Sequence, residues 1–290
     1  MVLKIIEQLN LLMKDLKLYI EKNGHHFPGD WGTHNIIYNL DDGKLYNVDM
    51  EGFYTYGSSV SYDTDALNRI AKLKDNMYFS LEITKVLNVL KYTKSSGEHY
   101  SASHTNIGYH SIELDGNYFE GQRDCIARHK YISEEIDLTG CNILDIGCCQ
   151  GGMLYPVSEI ISKGVGIDFN YKNINACNKV KEYRKMTNLS FYVFDLDKES
   201  FNLMNDLCPE KIDVTFLFSI CMWVKKWKEV IDFIGLKSDV LFIETNGSTQ
   251  QQEEQIEYCS KHFPNIKKMF DRSEDDKSQK NRKFFICRKV

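Results

Sequence analysis

The stretch from Asn142 to Gly152, "NILDIGCCQGG", constrains this chain more than any other. A short apolar strand runs into the pattern Asp-x-Gly-x-x-x-Gly, with Asp145, Gly147 and Gly151 at the fixed positions. A glycine-rich turn there lets backbone approach a ligand closely, and a helix following it points free N–H groups at the same ligand. Two later strands end in the same way. "GVGIDFN" closes on Asp168 about twenty residues after the loop, where a carboxylate can grip both hydroxyls of a ribose. "FYVFDLD" closes on Asp195, placed to accept from an adenine amino group. One acid at a strand end is an ordinary helix cap. Three such features at successive strand ends are hard to attribute to capping.

The rhythm around these motifs sets the fold class. Strands read at 142–146, 164–168, 190–194, 213–218 and 240–244, with helical stretches between them, and the last part of the chain reads as an antiparallel hairpin around a charged loop. Alternating β and α units predict an α/β, doubly wound, mainly parallel sheet. No internal repeat is present. The longest apolar run, from Val214 to Val224, reads as a buried strand and is too short to span a membrane.

From about Tyr100 to the C-terminus the chain resembles the class I S-adenosylmethionine-dependent methyltransferases, including the closing hairpin that separates them from nicotinamide dehydrogenases. The resemblance implies a seven-stranded, Rossmann-like sheet with S-adenosyl-L-methionine as cofactor. It places Asp145, Gly147 and Gly151 around the methionine end, Asp168 on the ribose and Asp195 near the adenine. It adds Cys149, Gln150, Phe169, Asn173, Leu196, Ser219 and Arg128 as cofactor contacts. Cys149 stands where many members have a glycine. "LDIGCCQGG" with "GVGIDFNYKNINACNKV" is similar to the methyltransferase part of the kinase–methyltransferases that terminate polymannose O-antigen chains, which methylate a terminal phosphate on the glycan. "FLFSICMWVKKW" resembles the fourth motif of the methylphosphate-capping enzymes of small RNAs.

The segment "NYFEGQRDCIARHKYI", by the same resemblance, forms a second wall over the cofactor. Arg123 and Arg128 suit either the methionine carboxylate or an anionic acceptor, since a guanidinium binds both bidentately. The plainer alternative is a pair of surface arginines matched with Glu120 or Asp124. Tyr118 and Arg123 are candidates for substrate binding, as is Trp223, for which core packing is an equal explanation. A hydroxyl acceptor benefits from a general base, and His104, His110 and His129 are the candidates near the site by sequence. Each one alone also reads as a histidine with a satisfied hydrogen bond. An ionised phosphate oxygen needs only cationic positioning. No metal-ligand spacing occurs.

The N-terminal third has a different character. Residues 2–24 carry apolar positions at helical spacing, "NIIYNLDDGKLYNVDM" reads as a β-hairpin, and residues 63–92 read as two helices. The polar run "TKSSGEHYSASHTN" suggests a boundary at Ser95–Glu98, giving domains 1–97 and 98–290. Asp30, Asn35 and Asp49 match the spacing of a kinase catalytic loop and its later metal-holding aspartate. The first 93 residues therefore resemble the C-terminal lobe of aminoglycoside-phosphotransferase-like kinases. Pro28 replaces the usual histidine, and the chain begins one helix before the loop, so the expectation is a remnant without phosphotransfer.

Composition narrows the partners. A formal net charge of -5 argues against a broad nucleic-acid-binding face. Nine cysteines without paired metal spacing suggest reduced, mostly buried thiols in a cytoplasmic protein. The expectation is an O-methyltransferase of surface-polysaccharide biosynthesis, acting on a sugar hydroxyl or a glycan-linked phosphate. The competitors are an RNA or small-molecule methyltransferase, a phosphotransferase with a regulatory cofactor domain, and a non-catalytic binding module.

Overall fold

Helix α1 (Val2–Asn23) turns Leu9 and Leu16 inward, where both are buried with Ile70 of α2 (Tyr62–Thr93). The spacing of seven between Leu9 and Leu16 keeps them on one helix face. The hairpin expected near them is present as β1 (Ile36–Tyr38) and β2 (Leu45–Asn47), paired antiparallel. Helix α2 is one continuous element of 32 residues and not two. Residues 62–93 contain neither glycine nor proline, so nothing in the chain breaks it.

The computed structural model describes residues 2–23, 36–38, 44–47, 62–93, 107–273 and 281–290. The chain divides into two units, Met1–Lys85 and Val86–Val290, with the division inside α2. Asp30, Asn35, Asp49 and Pro28 of the kinase-like pattern lie outside the described residues, as do His104 and the polar run 94–106.

The second unit opens with the hairpin β3 (Ile112–Leu114) and β4 (Asn117–Phe119). Its turn residues Asp115 and Gly116 both have positive φ, the conformation whose twist suits a two-residue hairpin loop. Helix α3 (Cys125–Glu135) follows, capped by Asp124, whose carboxylate accepts from the Ile126 and Ala127 N–H groups at 3.1 Å. Then come β5 (Asn142–Ile146), β6 (Lys163–Asp168), α4 (Tyr171–Tyr183), β7 (Leu189–Val193), α5 (Phe201–Leu207), β8 (Ile212–Phe218), α6 (Trp227–Lys237), β9 (Ser238–Glu244), α7 (Thr249–Cys259), β10 (Asn265–Phe270) and β11 (Phe284–Arg288).

Seven of these strands form one sheet in the order β10-β11-β9-β8-β5-β6-β7. The five strands from β9 to β7 run parallel, and β11 runs antiparallel to its two neighbours, β9 and β10. This is the doubly wound sheet with a closing hairpin expected from the sequence. Strands buried on both faces read as unbroken apolar runs, and Leu144, Ile146, Val165, Leu217, Leu241 and Ile243 are almost fully buried in one core. The chain lays down β5, β6 and β7 in one direction, then returns to place β8 on the other side of β5. Such a switch point opens a crevice beyond the carboxyl ends of the strands.

One expected element takes another form. Residues 152–160, after the glycine-rich loop, are a run of tight turns and not a regular helix. Leu154 and Ser158 donate to Gly151 and Tyr155 three residues back. Pro156 lies in the middle and has no N–H to continue an α-helical ladder.

Candidate functional site

A cleft of about 390 Å³ opens at the carboxyl ends of the parallel strands. That volume suits a ligand of nucleoside size or larger. Its centre is the turn after β5. Gly147 has φ +75°, and a Cβ there would lie 2.1 Å from the end of the Ile220 side chain, so any larger residue would be strained and would have to displace that side chain. Cys149, two residues on, is held at φ +48° without that freedom. Its N–H donates to Asp168 Oδ2 at 2.9 Å, and the Asn170 N–H donates to Asp168 Oδ1 at 2.8 Å. Asp168 is thereby fixed by two backbone donors at the mouth of β6. Asn170 in turn caps α4 by accepting from the Lys172 N–H.

Along this side the cleft is lined by Asp168, Phe169, Asn173, Phe194, Asp195 and Leu196. Asp195 is tied into its own turn, with Lys198 Nζ 2.7 Å from Oδ2 and the Asp197 N–H donating to Oδ1 at 3.1 Å. The Lys198 hydrogen bond, outweighing partial burial, holds its carboxyl below the ordinary range. A fixed carboxylate at Asp168, an exposed aromatic ring at Phe169 and a second acid at Asp195 fit an adenosine moiety.

The opposite side is built over β8, β9 and β11. Ser219 follows β8 with φ +61°, its carbonyl accepting from Asn246 Nδ2 at 2.5 Å. Tyr109, Phe218, Trp223 and Arg282 complete this wall. Behind it lies a buried ionic cluster centred on Glu244, the last residue of β9. Glu244 is 1% exposed and accepts from Arg123 Nη1 at 3.1 Å, Arg123 Nη2 at 2.6 Å, Arg128 Nη2 at 2.7 Å and Ser273 Oγ at 2.8 Å. Ser219 Oγ donates to the same carboxylate. Arg282 Nη1 lies 2.9 Å from Ser219 Oγ and 3.5 Å from Glu244 Oε1. Burial alone would raise the Glu244 carboxyl, but Arg123, Ser219 and Arg282 outweigh it and hold it below its ordinary value. The Arg128 guanidinium also stacks 4.6 Å from the centre of the Phe218 ring.

The expected cofactor residues Gly147, Cys149, Gln150, Asp168, Phe169, Asn173, Asp195, Leu196 and Ser219 all line the cleft, and so does Trp223. Gln150, however, spends its amide on the protein. Its Nε2 donates to Thr93 Oγ1 and to the Ile107 carbonyl, and its Oε1 accepts from the His110 N–H. Arg128, Asp145 and Gly151 stand behind the wall. Gly151 has φ +76°, and a Cβ there would press on Tyr155 and Phe191. Arg123 and Arg128 both pair with the buried Glu244, Arg128 from α3 and Arg123 from the segment just before it, where its backbone bridges to Tyr109 and Ser111. Tyr118 is half exposed on β4 and is not part of the lining.

The described histidines of the expected base set do not reach the cleft. His110 Nδ1 accepts from the Gly152 N–H at 3.1 Å, and burial pushes its pKa down to about 3. His129 Nε2 donates to the Met153 carbonyl at 2.6 Å, and burial lowers it to about 4. Both are held neutral within the packing. Asp145 differs again: it is 2% exposed, and its Oδ2 has no hydrogen-bond partner among the described residues. Sequence reasoning missed Glu244, Tyr109 and Arg282. Glu244 gave the same signal as Asp168, an acid closing a parallel strand, in "VLFIETN". Arg282 and Tyr109 gave none, since only the fold carries them to the cleft.

Known proteins resemble this chain in sequence and in fold. A family model described as "Methyltransferase domain" matches residues 137–282, half of the chain. The O-antigen chain terminator bifunctional methyltransferase/kinase WbdD of Escherichia coli is 36% identical over 76 residues, covering 24% of this chain and 10% of that protein. The chain thus spans about a tenth of the length of the curated relatives it matches. The co-crystal structure of WbdD and the kinase inhibitor LY294002 shares the fold, at a TM-score of 0.51 and 19% identity, over 68% of this chain and 47% of that one. The N-terminal domain of EvdMO1 with SAH bound gives a TM-score of 0.48 at 13% identity, over 61% of this chain and 90% of that one.

Proposed function

Because the chain belongs to the methyltransferase-domain family, with S-adenosylmethionine as methyl donor, we propose that it is an O-methyltransferase of surface-polysaccharide biosynthesis. The acceptor in this reading is an oxygen on a glycan, either a glycan-linked phosphate or a sugar hydroxyl. The observation that carries the phosphate form is the division of the cleft by charge. The acids Asp168 and Asp195 lie over β6 and β7, while Arg282 lies over β8 and β9 beside Tyr109 and Ser219. The likeness to WbdD supports the glycan part.

In this arrangement Asp168 accepts from the ribose hydroxyls, Phe169 covers the adenine and Asp195 faces its amino group. The cofactor supplies an electrophilic methyl carbon. When bound, it would supply a methyl group to an acceptor oxygen, its sulfur leaving as a neutral thioether, while Asp168, Phe169 and Asp195 would hold its adenosine end. Holding the two groups in line supplies much of the acceleration. A neutral hydroxyl must also lose a proton, yet no histidine lines the cleft among the described residues. A phosphate oxygen arrives already ionised, and a guanidinium at Arg282 positions it. Residues 1–85 supply no step of this reading.

The test is transfer of labelled methyl from S-adenosylmethionine into a panel of phosphorylated glycans, sugar nucleotides and neutral sugars. Label in a phosphorylated glycan that is lost on phosphate-ester cleavage supports the phosphate form. Label in a neutral sugar supports the hydroxyl form. No label in any glycan, with label in RNA or a small metabolite, overturns the glycan reading.

A further inference from the structure

Asp145 lies one residue before the end of β5 and Asp168 ends the neighbouring parallel strand β6, and their surroundings are unequal. Asp168 has a backbone N–H on each oxygen, from Cys149 and Asn170, which stabilise its charged form. Asp145 is 2% exposed, and its Oδ2 lies buried with no hydrogen-bond partner among the described residues. Its cross-strand neighbours are Gly166 on β6 and Phe216 on β8, neither of which offers a side-chain donor. The nearby titratable groups are Asp168 from β6, Cys148 from the following loop and, beyond it, Cys177 from α4. None of these is a cation.

Two carboxyl groups so placed divide their roles: the one with donors carries the charge, and the one without keeps its proton. We propose that Asp145 is the proton-bearing member of this pair in the free protein, and that binding of the cationic cofactor in the adjacent cleft expels that proton. The inference rests on the cofactor reading of the cleft. Burial, together with the charge on Asp168, pushes Asp145 up to about 8. About nine-tenths of the molecules then hold the proton at pH 7. A ligand bearing a sulfonium and an ammonium brings positive charge against the wall formed by Gly147, Cys149 and Asp168. Positive charge at that wall, which Gly147 forms two residues along the chain from Asp145, favours the ionised carboxyl, so the bound complex holds Asp145 charged. The proton passes to solvent, and its charge is replaced by that of the ligand.

The sign of the linkage follows. The bound form releases a proton that the free form holds, so affinity rises with pH and levels off above about 8. Between pH 8 and pH 6 the dissociation constant for S-adenosylmethionine should rise by roughly fiftyfold in all, more steeply below pH 7 than above it. The experiment is calorimetric titration of the full chain with S-adenosylmethionine, at pH 7 in buffers of different ionisation enthalpy. Wild type should release between half and one proton. Asp145→Asn, which copies the shape of the protonated acid, should release at least half a proton less. S-adenosylhomocysteine lacks the sulfonium and should release fewer protons than S-adenosylmethionine from wild type. Equal release by wild type and Asp145→Asn overturns the proposal. So does a wild-type affinity that is flat from pH 6 to pH 8, a measurement that needs no variant. Absence of binding by either ligand at every pH overturns the cofactor reading itself, and this inference with it.

Discussion

Removing the Glu244 side chain tests whether the second wall of the cleft is held by charge. Its carboxylate, 1% exposed, receives Arg123 in bidentate fashion, Arg128, Ser273 and Ser219. Glu244→Ala leaves those guanidiniums buried without the carboxylate between them. Breaking a buried ion pair by deleting one partner costs about 3–5 kcal/mol, most of it the penalty for the charge left behind. That is a large share of the 5–15 kcal/mol typical of a folded domain. With a urea slope of about 2 kcal/mol per molar, the unfolding midpoint should fall by about 2 M. Pulse proteolysis of the full chain across a urea series, following fragments from Val86–Val290, reads that midpoint. Glu182→Ala, which removes the exposed pair with Lys179, is the internal control and should leave it in place. A Glu244→Ala midpoint within 0.3 M or so of wild type would refute the idea that this buried carboxylate organises the wall.

Three further outcomes follow from the same geometry. Asp168→Ala removes an acceptor for two ribose hydroxyls, and charge-assisted hydrogen bonds contribute about 1.5–3 kcal/mol each. S-adenosylhomocysteine affinity should therefore fall at least 100-fold or so by calorimetry. His110 and His129 are held neutral, with pKa values of about 3 and about 4. Below about pH 6.5 the unfolded chain takes up protons that the folded chain refuses, so stability should fall as pH drops from 6.5 toward 4. His129→Gln should flatten that fall in urea midpoints measured between pH 7 and pH 5. Gln150→Ala unties the glycine-rich loop from Thr93, Ile107 and His110, leaving buried groups unpaired at about 1–3 kcal/mol. It should weaken S-adenosylhomocysteine binding although the Gln150 amide is fully engaged by the protein.

Much of the sheet was legible because parallel strands buried on both faces write themselves as short apolar runs. The ends of those runs, at Asp168 and Asp195, marked the cleft. The turn at Gly147 was legible from its glycine pattern after an apolar strand, and the structure gives it a positive φ. What escaped were features made by long-range packing. Arg123 and Arg128 read as guanidiniums for the methionine carboxylate or an anionic acceptor, whereas the fold carries both to Glu244, more than a hundred residues along the chain. His110 and His129 carried the chemistry of a base in sequence, while burial turned both into packing groups. The helix expected after the loop failed for a local reason, Pro156, which was visible all along. The kinase-like spacing of Asp30, Asn35 and Asp49 lies outside the described residues.

The most direct test of the account is the hydrogen-exchange footprint of S-adenosylhomocysteine on the full chain. The account predicts slowed exchange in three separated segments: the turn 147–151, the β6 end with the start of α4 at 168–173, and the turn after β7 at 194–198. A footprint confined to other segments, with tight binding intact, would contradict the placement of the cofactor in this cleft.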